Sequence, residues 1–319
     1  MNSYDAIGGY FELETGRKVF APEGAVNLNS ARNCLAYILR AGGVAHVHIP
    51  RYLCGVALEP LKKMGVAYDF YDVAENLEIA DDITLMDDSD ALLVVNYFGV
   101  MDEYTASMAE KYGRQAILDC SQAFYFSPVL PSPTFYSPRK FFGVPDGGIL
   151  YTETRLEEDL AEDVSYARFT HLVKRIDLGS EAAYADFKRD DASLDGQPVK
   201  AMSKLTRRLL GSVDMEAPRL QRLRNFMYLH ERLRATNLLN VAAIAKGPLC
   251  YPYYSRDANL RDRLVSEKVF APIYWSNVME WCKSTDVEYQ LAKNIVPLPI
   301  DQRYDEQHMQ KIVEVVRRR

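Results

Sequence analysis

Two periodicities of apolar residues alternate along the first half of the chain. Leu35, Ile38 and Leu39 recur at the spacing of one helix face, behind Asn29 or Ser30 as a polar cap and ahead of Gly42-Gly43 as a stop. Val44 to Pro50 then reads as a strand, Leu53 to Met64 as a helix closed by Gly65, and Val66 to Val73 as the next strand. Ala91 to Phe98 is an almost unbroken apolar run, the pattern of a strand buried on both faces of a parallel sheet. A helix from about Glu103 to Tyr112 and a short strand from Gln115 to Asp119 follow, and beyond a proline-rich stretch another strand spans Ile149 to Thr152. Such alternation implies right-handed crossovers and a doubly wound, mainly parallel α/β sheet that gathers ligands outside the carboxyl ends of its strands.

The flanking regions are patterned differently. Gly8-Gly9-Tyr10-Phe11-Glu12-Leu13-Glu14 suggests an N-terminal arm with a brief strand. A long helix is predicted over Arg155 to Lys174, followed by an exposed polar loop containing Asp190-Asp191 and Asp195-Gly196. Helices over Pro218 to Arg234, Arg256 to Lys268 and Asp305 to Arg317 alternate with strands over Pro248 to Tyr254, Val269 to Ile273 and Ile295 to Pro299. At 319 residues the chain exceeds the size of one core, so it is expected to divide near Gly211-Ser212. Residues 1–212 would form a large domain with the arm, and 213–319 a small C-terminal α/β domain.

Composition narrows the function classes. Hydrophobic residues make up 48% and charged residues 26%, as in a globular protein, and a net charge of -6 with scattered basic residues offers no face to nucleic acid. No apolar run reaches the roughly 18 residues that span a bilayer, and the N-terminus lacks a secretory signal pattern, so a cytoplasmic location is expected. The 5 cysteines are odd in number and widely spaced, which argues against a disulfide framework and a structural zinc site. His46 and His48 put two imidazoles on one strand face, but with no third ligand evident nearby they read as a strand edge, and no metal is expected.

Candidate chemistry centres on Phe135 to Ile149, where Lys140 stands among aromatic residues ahead of Gly147-Gly148, with Ser137 three positions before it. A lysine in a setting that solvates its ammonium poorly has the chemistry of an amine that attacks carbonyls; a snorkelling loop lysine is the plain alternative. Ser137-x-x-Lys140 also matches the serine acyl-transfer motif, but Ser-Asp-Asn and Lys-Thr-Gly companions are missing. Ser30, Tyr52, Asp119 and Lys140 all fall near predicted element ends. A helix N-terminus at Ser30 suits a phosphate, Ser137 adds a hydroxyl, a carboxylate at Asp119 suits a protonated ring nitrogen, and a lysine condenses with an aldehyde. Together these are the requirements of pyridoxal 5'-phosphate (PLP).

The motifs Gly8-Gly9-Tyr10-Phe11-Glu12-Leu13, Asn29-Ser30-Ala31-Arg32-Asn33, Ile49-Pro50-Arg51-Tyr52-Leu53-Cys54, Asp119-Cys120-Ser121-Gln122, Ser137-Pro138-Arg139-Lys140 and Pro297 to Tyr304 follow one another in an order that resembles the DegT-type sugar aminotransferases. The resemblance implies a fold type I PLP-transferase and a homodimer, and it implies transfer of an amino group from a donor such as glutamate to a keto sugar, nucleotide-linked. It implies Lys140 as the internal-aldimine lysine, Asp119 against the pyridine nitrogen, Gln122 beside the ring hydroxyl, and Tyr52 against the ring. Ser30, Ala31, Arg32 and Ser137 take the phosphate positions. Ser-Ala-Arg replaces the family's usual Ser-Gly-Thr, the Gly-Tyr-Asn-x-Arg stretch is absent, and Val144-Pro145-Asp146 departs from the pattern after the lysine. A PLP-binding regulator or a keto-sugar lyase or dehydratase of the same fold is the alternative, and Lys140 stands where such dehydratases carry histidine.

Overall fold

Strands β1 (Ala25–Leu28), β2 (His46–Pro50), β3 (Ala67–Tyr71), β4 (Asp90–Val95), β5 (Ala116–Asp119), β6 (Thr134–Tyr136) and β7 (Gly148–Tyr151) form one sheet in the order β1-β7-β6-β5-β4-β2-β3. The computed structural model describes residues 9–16, 18–243 and 246–318. The run β6-β5-β4-β2-β3 is parallel, and β7 runs antiparallel to both its neighbours. Every residue of β4 is buried, as its continuous apolar sequence requires. The crossovers are made by α1 (Ala31–Gly42), α2 (Leu58–Met64) and α3 (Asp102–Tyr112), and left-handed Gly43 and Gly65 terminate the first two. Among the described residues, no helix is long and apolar enough to cross a membrane.

Residues 9–14 form no strand, and Gly8 lies outside the described residues. Tyr10 and Phe11 are exposed, without a sheet edge to pair with. The long helix is also displaced: α4 spans Thr170–Ala192, with a break at Gly179 (φ 82°, ψ 178°). Residues near 163 are pinned as extended chain by the Asp163 N–H bond to Ala201 O, 2.9 Å, and by the Arg168–Asp163 ion pair, 2.5 Å. Gly179 turns α4 back on itself, because His171 reaches Asp190 at 2.9 Å and Lys174 reaches Asp186 at 2.7 Å. The expected loop at Asp190-Asp191 is therefore the second arm of a helical hairpin, and Asp190 is buried in its seam.

Helices α5 (Lys204–Gly211) and α6 (Glu216–Leu233) lead to β8 (Cys250–Tyr254). Then come α7 (Leu260–Ser266), α8 (Val278–Trp281), α9 (Val287–Asn294), β9 (Ile295–Pro299) and α10 (Glu306–Arg317). Strands β8 and β9 pair antiparallel in a two-stranded sheet. The strand expected at Val269 to Ile273 is irregular chain, where Lys268 turns with φ 59° and Pro272 carries no donor. Buried apolar residues of the two sheets, among them Leu28, Leu92, Phe226 and Leu298, belong to one contiguous cluster.

Candidate active site

Ser30 begins the site. Its extended backbone (φ −161°) and its Oγ, which accepts the Asn33 N–H at 3.1 Å, start α1. A cap of this kind contributes about 1 kcal/mol. The N–H groups of Ala31 and Arg32 then lie in the first turn, where a helix has no internal acceptors for them and its dipole is positive. Gly147 and Gly148 press β7 against this turn. Gly147 N–H donates to Asn29 O at 2.9 Å, and a Cβ on Gly148 would lie 2.4 Å from Ser30 O and 2.6 Å from Cys34 Sγ. The glycine pair therefore lets the lysine loop approach the helix start.

In that loop Ser137 precedes a 3₁₀ turn, Pro138–Lys140, and its hydroxyl caps nothing. Phe141 and Phe142 turn inward against Phe124, with ring centroids 5.5 and 5.0 Å away, so the 3₁₀ turn leaves Lys140 exposed. The aromatic neighbours do not enclose the ammonium, as the sequence suggested, but pack with one another. Lys140 Nζ donates to Ser121 Oγ at 3.2 Å, and Ser121 N–H donates to Asp119 Oδ1 at 2.9 Å. Lysine and carboxylate are thus joined through one serine at the carboxyl end of β5.

Asp119 is buried against Cys34 and Cys120, whose thiols are raised well above their ordinary value by burial first and by the Asp119 charge second. They stay neutral behind the carboxylate. Gln122 Oε1 accepts the Phe98 N–H at 2.7 Å, while its Nε2 is buried with no partner among the described residues. Phe98 makes this bond from a left-handed backbone (φ 58°) at the turn after β4. Such a conformation costs on the order of 1–3 kcal/mol and is held by its surroundings.

Other sequence candidates fall differently. Tyr52 is 1% exposed, its ring covered by Tyr97 at 5.3 Å and Trp275 at 4.6 Å between centroids, so no face of it is open to a ligand. Arg32 directs its guanidinium to Glu59 at 2.5 Å and Asp195 at 2.8 Å, leaving its backbone N–H as the group at the helix start. Arg139 pairs with Asp191 at 2.8 Å. Asp146, in the unusual Val144-Pro145-Asp146 segment, is fully buried and accepts hydrogen bonds from Ser203 N and Oγ and from Thr206 Oγ1 at the start of α5. That segment anchors the loop.

Three contributors were not singled out by sequence reasoning. Ser121 links Lys140 to Asp119, and its place in an Asp-x-Ser turn was the available signal. Arg222, 2% exposed on α6, lies 4.6 Å from the Phe141 ring centroid and donates to Pro248 O and Leu249 O. Its Nε also reaches Gln302 Oε1 at 3.1 Å, and Gln302 Nε2 donates to Phe141 O at 2.7 Å. The residue after Lys140 is therefore held from α6 and from the end of β9. Arg222 shares the apolar stripe of Phe226, Leu229 and Leu233, so a cation in that stripe could have been noticed.

No protein-family model matches the sequence, and no curated protein matches it. Solved structures do match in three dimensions. A DegT DnrJ EryC1 StrS aminotransferase from Brucella abortus aligns at a TM-score of 0.61 and 15% identity, covering 94% of this chain and 91% of that one. The sugar aminotransferase CalS13 from Micromonospora echinospora aligns at 0.59 and 15%, covering 94% and 93%. The E. coli GDP-4-keto-6-deoxy-D-mannose-3-dehydratase, solved with bound hydrated PLP, aligns at 0.60 and 15%, covering 92% and 87%. What this chain shares with them is the fold, the mixed α/β architecture called fold type I.

Proposed function

We propose that this chain is a PLP-dependent enzyme of the DegT type that transfers an amino group from an amino acid to a keto sugar. The observation that carries the reading is the Lys140–Ser121–Asp119 chain of hydrogen bonds beside the capped start of α1. The cofactor fits the residues present. Gln122 Nε2 is an unpartnered buried donor, suited to a ring hydroxyl, and Ser137 Oγ caps nothing, so it is available to a phosphate beside the Ala31 and Arg32 N–H groups.

PLP, when bound, supplies an electron-poor ring that stabilises negative charge on the adjoining substrate carbon. Asp119 would hold the proton on the ring nitrogen. At an effective dielectric of 20 a carboxylate in contact with a cation is worth about 4 kcal/mol of gross Coulomb energy. Lys140 Nζ would be the amine that holds the cofactor and that moves the proton at the substrate carbon. Lysine at this position favours transamination over the dehydration performed by the E. coli neighbour. A nucleotide-linked sugar and glutamate are the substrates to test first, and a second copy of the chain is the expected partner. Exposed Ile176, Leu178 and Tyr184 on the α4 hairpin support a homodimer.

The test is to mix the purified protein with PLP, record the visible band of lysine-linked cofactor, add glutamate and follow its loss, then screen keto sugars for its return. Lys140→Ala is expected to show no such band, and its persistence in that variant would overturn the assignment.

A further inference from the structure

The amino ends of the parallel strands hold a cluster that the proposed reaction does not use. His46 and His48 lie two residues apart on β2 and so share a face. In the parallel ladders His46 is registered with Asp90, the first residue of β4, and His48 with Asp69 on β3. Register thus gathers two imidazoles and two carboxylates on one patch, roughly 15 Å of strand away from Asp119. One ligand atom each from His46, His48 and Asp90 lies within 4.8 Å of the others. Asp90 is the third polar group that the sequence did not reveal beside the two imidazoles.

The hydrogen bonds orient this group. His46 Nε2 lies 3.0 Å from Asp69 Oδ2, and in the neutral ring that contact places the proton on Nε2. The Nδ1 lone pair then faces Asp90 Oδ1 at 3.6 Å, acceptor against acceptor. Asp90 Oδ2 is committed to Met86 N–H at 2.7 Å, which fixes the carboxylate and leaves Oδ1 turned toward the imidazole. A cation between Nδ1 and Oδ1 satisfies both. Neighbouring ligands around a tetrahedral ion with bonds of about 2.0–2.1 Å are ~3.4 Å apart, close to the spacing present.

We propose that His46, His48 and Asp90 bind one divalent transition ion of the zinc type, with Asp69 orienting His46 from behind. Two imidazoles and one carboxylate suit zinc, whereas calcium and magnesium take more oxygen ligands. The ion would tie β4, β2 and the edge strand β3 together at their amino ends.

Chelator-stripped full-length protein should be titrated with Zn²⁺ against a chromophoric chelator, and separately with Co²⁺ to record the visible bands of a four-coordinate ion. The expected result is one ion per chain, at least about tenfold weaker binding in His48→Ala and Asp90→Asn, and weakening by roughly 10–100-fold in Asp69→Asn. His48→Gln serves as a second variant should the alanine chain fold poorly. The visible band of lysine-linked PLP should be unchanged in all of them, which separates this site from the reading at the carboxyl ends. Zn²⁺ uptake that is absent in the parent protein, or equally tight in the His48 and Asp90 variants, overturns the proposal and leaves the cluster as a group of hydrogen-bonded strand residues.

Discussion

The two ends of the parallel strands assemble polar groups by different means. At the amino ends, His46, His48, Asp69 and Asp90 are strand residues brought together by register alone. At the carboxyl ends, Ser30, Lys140 and Ser121 lie outside the strands, and the loop bearing Lys140 is held from α5, α6 and the end of β9. A patch set by register needs only the sheet, whereas a patch built on loops needs anchors far away in sequence. The geometry around Lys140 therefore depends on residues far away in sequence.

The contrast can be broken most sharply at Lys140. Lys140→Ala should lower transamination by at least about 10³-fold while leaving the thermal midpoint near that of the parent, since the side chain is exposed. Steady-state rates paired with a melting curve check this. Asp119→Asn should cost on the order of 10²–10³-fold in rate, the scale of a lost charge contact of about 4 kcal/mol gross.

Anchors should behave otherwise. Asp146→Ala leaves Ser203 and Thr206 without their buried acceptor and should destabilise the protein by about 3 kcal/mol in urea denaturation. A stability unchanged within ~0.5 kcal/mol would mean the loop is not held from α5. Gln302→Ala should lower kcat by roughly tenfold with the fold retained, because it frees the Phe141 carbonyl beside the lysine.

The smallest expected effect is one of pH. Asp163 and Asp190 are held below the ordinary value of 3.8: burial works upward, but Arg168 and Lys200 outweigh it at Asp163, and His171 and Arg189 at Asp190. Folded values below the unfolded one mean that their stabilisation is complete above pH 3.8 and is lost as pH falls through the folded values. Parent and Asp190→Asn stabilities should therefore converge in strong acid; a difference that persists there would contradict the ionic account of the hairpin seam.

Much of the sheet was legible because each strand carries its own pattern. The unbroken apolar run of β4 and the capped start of α1 announce themselves locally. The irregular stretch before α4 was expected to be helical because the pinning partner Ala201 lies far along the chain, where no local pattern reveals it. At the site, Asp119 and Lys140 were readable as residue types in order, but Ser121 between them was not, since a hydrogen bond across 19 positions leaves no periodic trace. Tyr52 was placed against a ligand ring by the resemblance alone, and only the fold reveals that Trp275 covers it. Asp90 was hidden for the same reason: register between β2 and β4 is a property of pairing.

The bond from Gln302 to Phe141 spans 161 positions, and it has a consequence for synthesis on the ribosome. The lysine emerges long before the residue that fixes its neighbour, because Gln302 lies just ahead of α10. Until that residue has cleared the exit tunnel, the loop lacks one of its clamps. The loop around Lys140 thus reaches its final geometry only after Gln302 has been made.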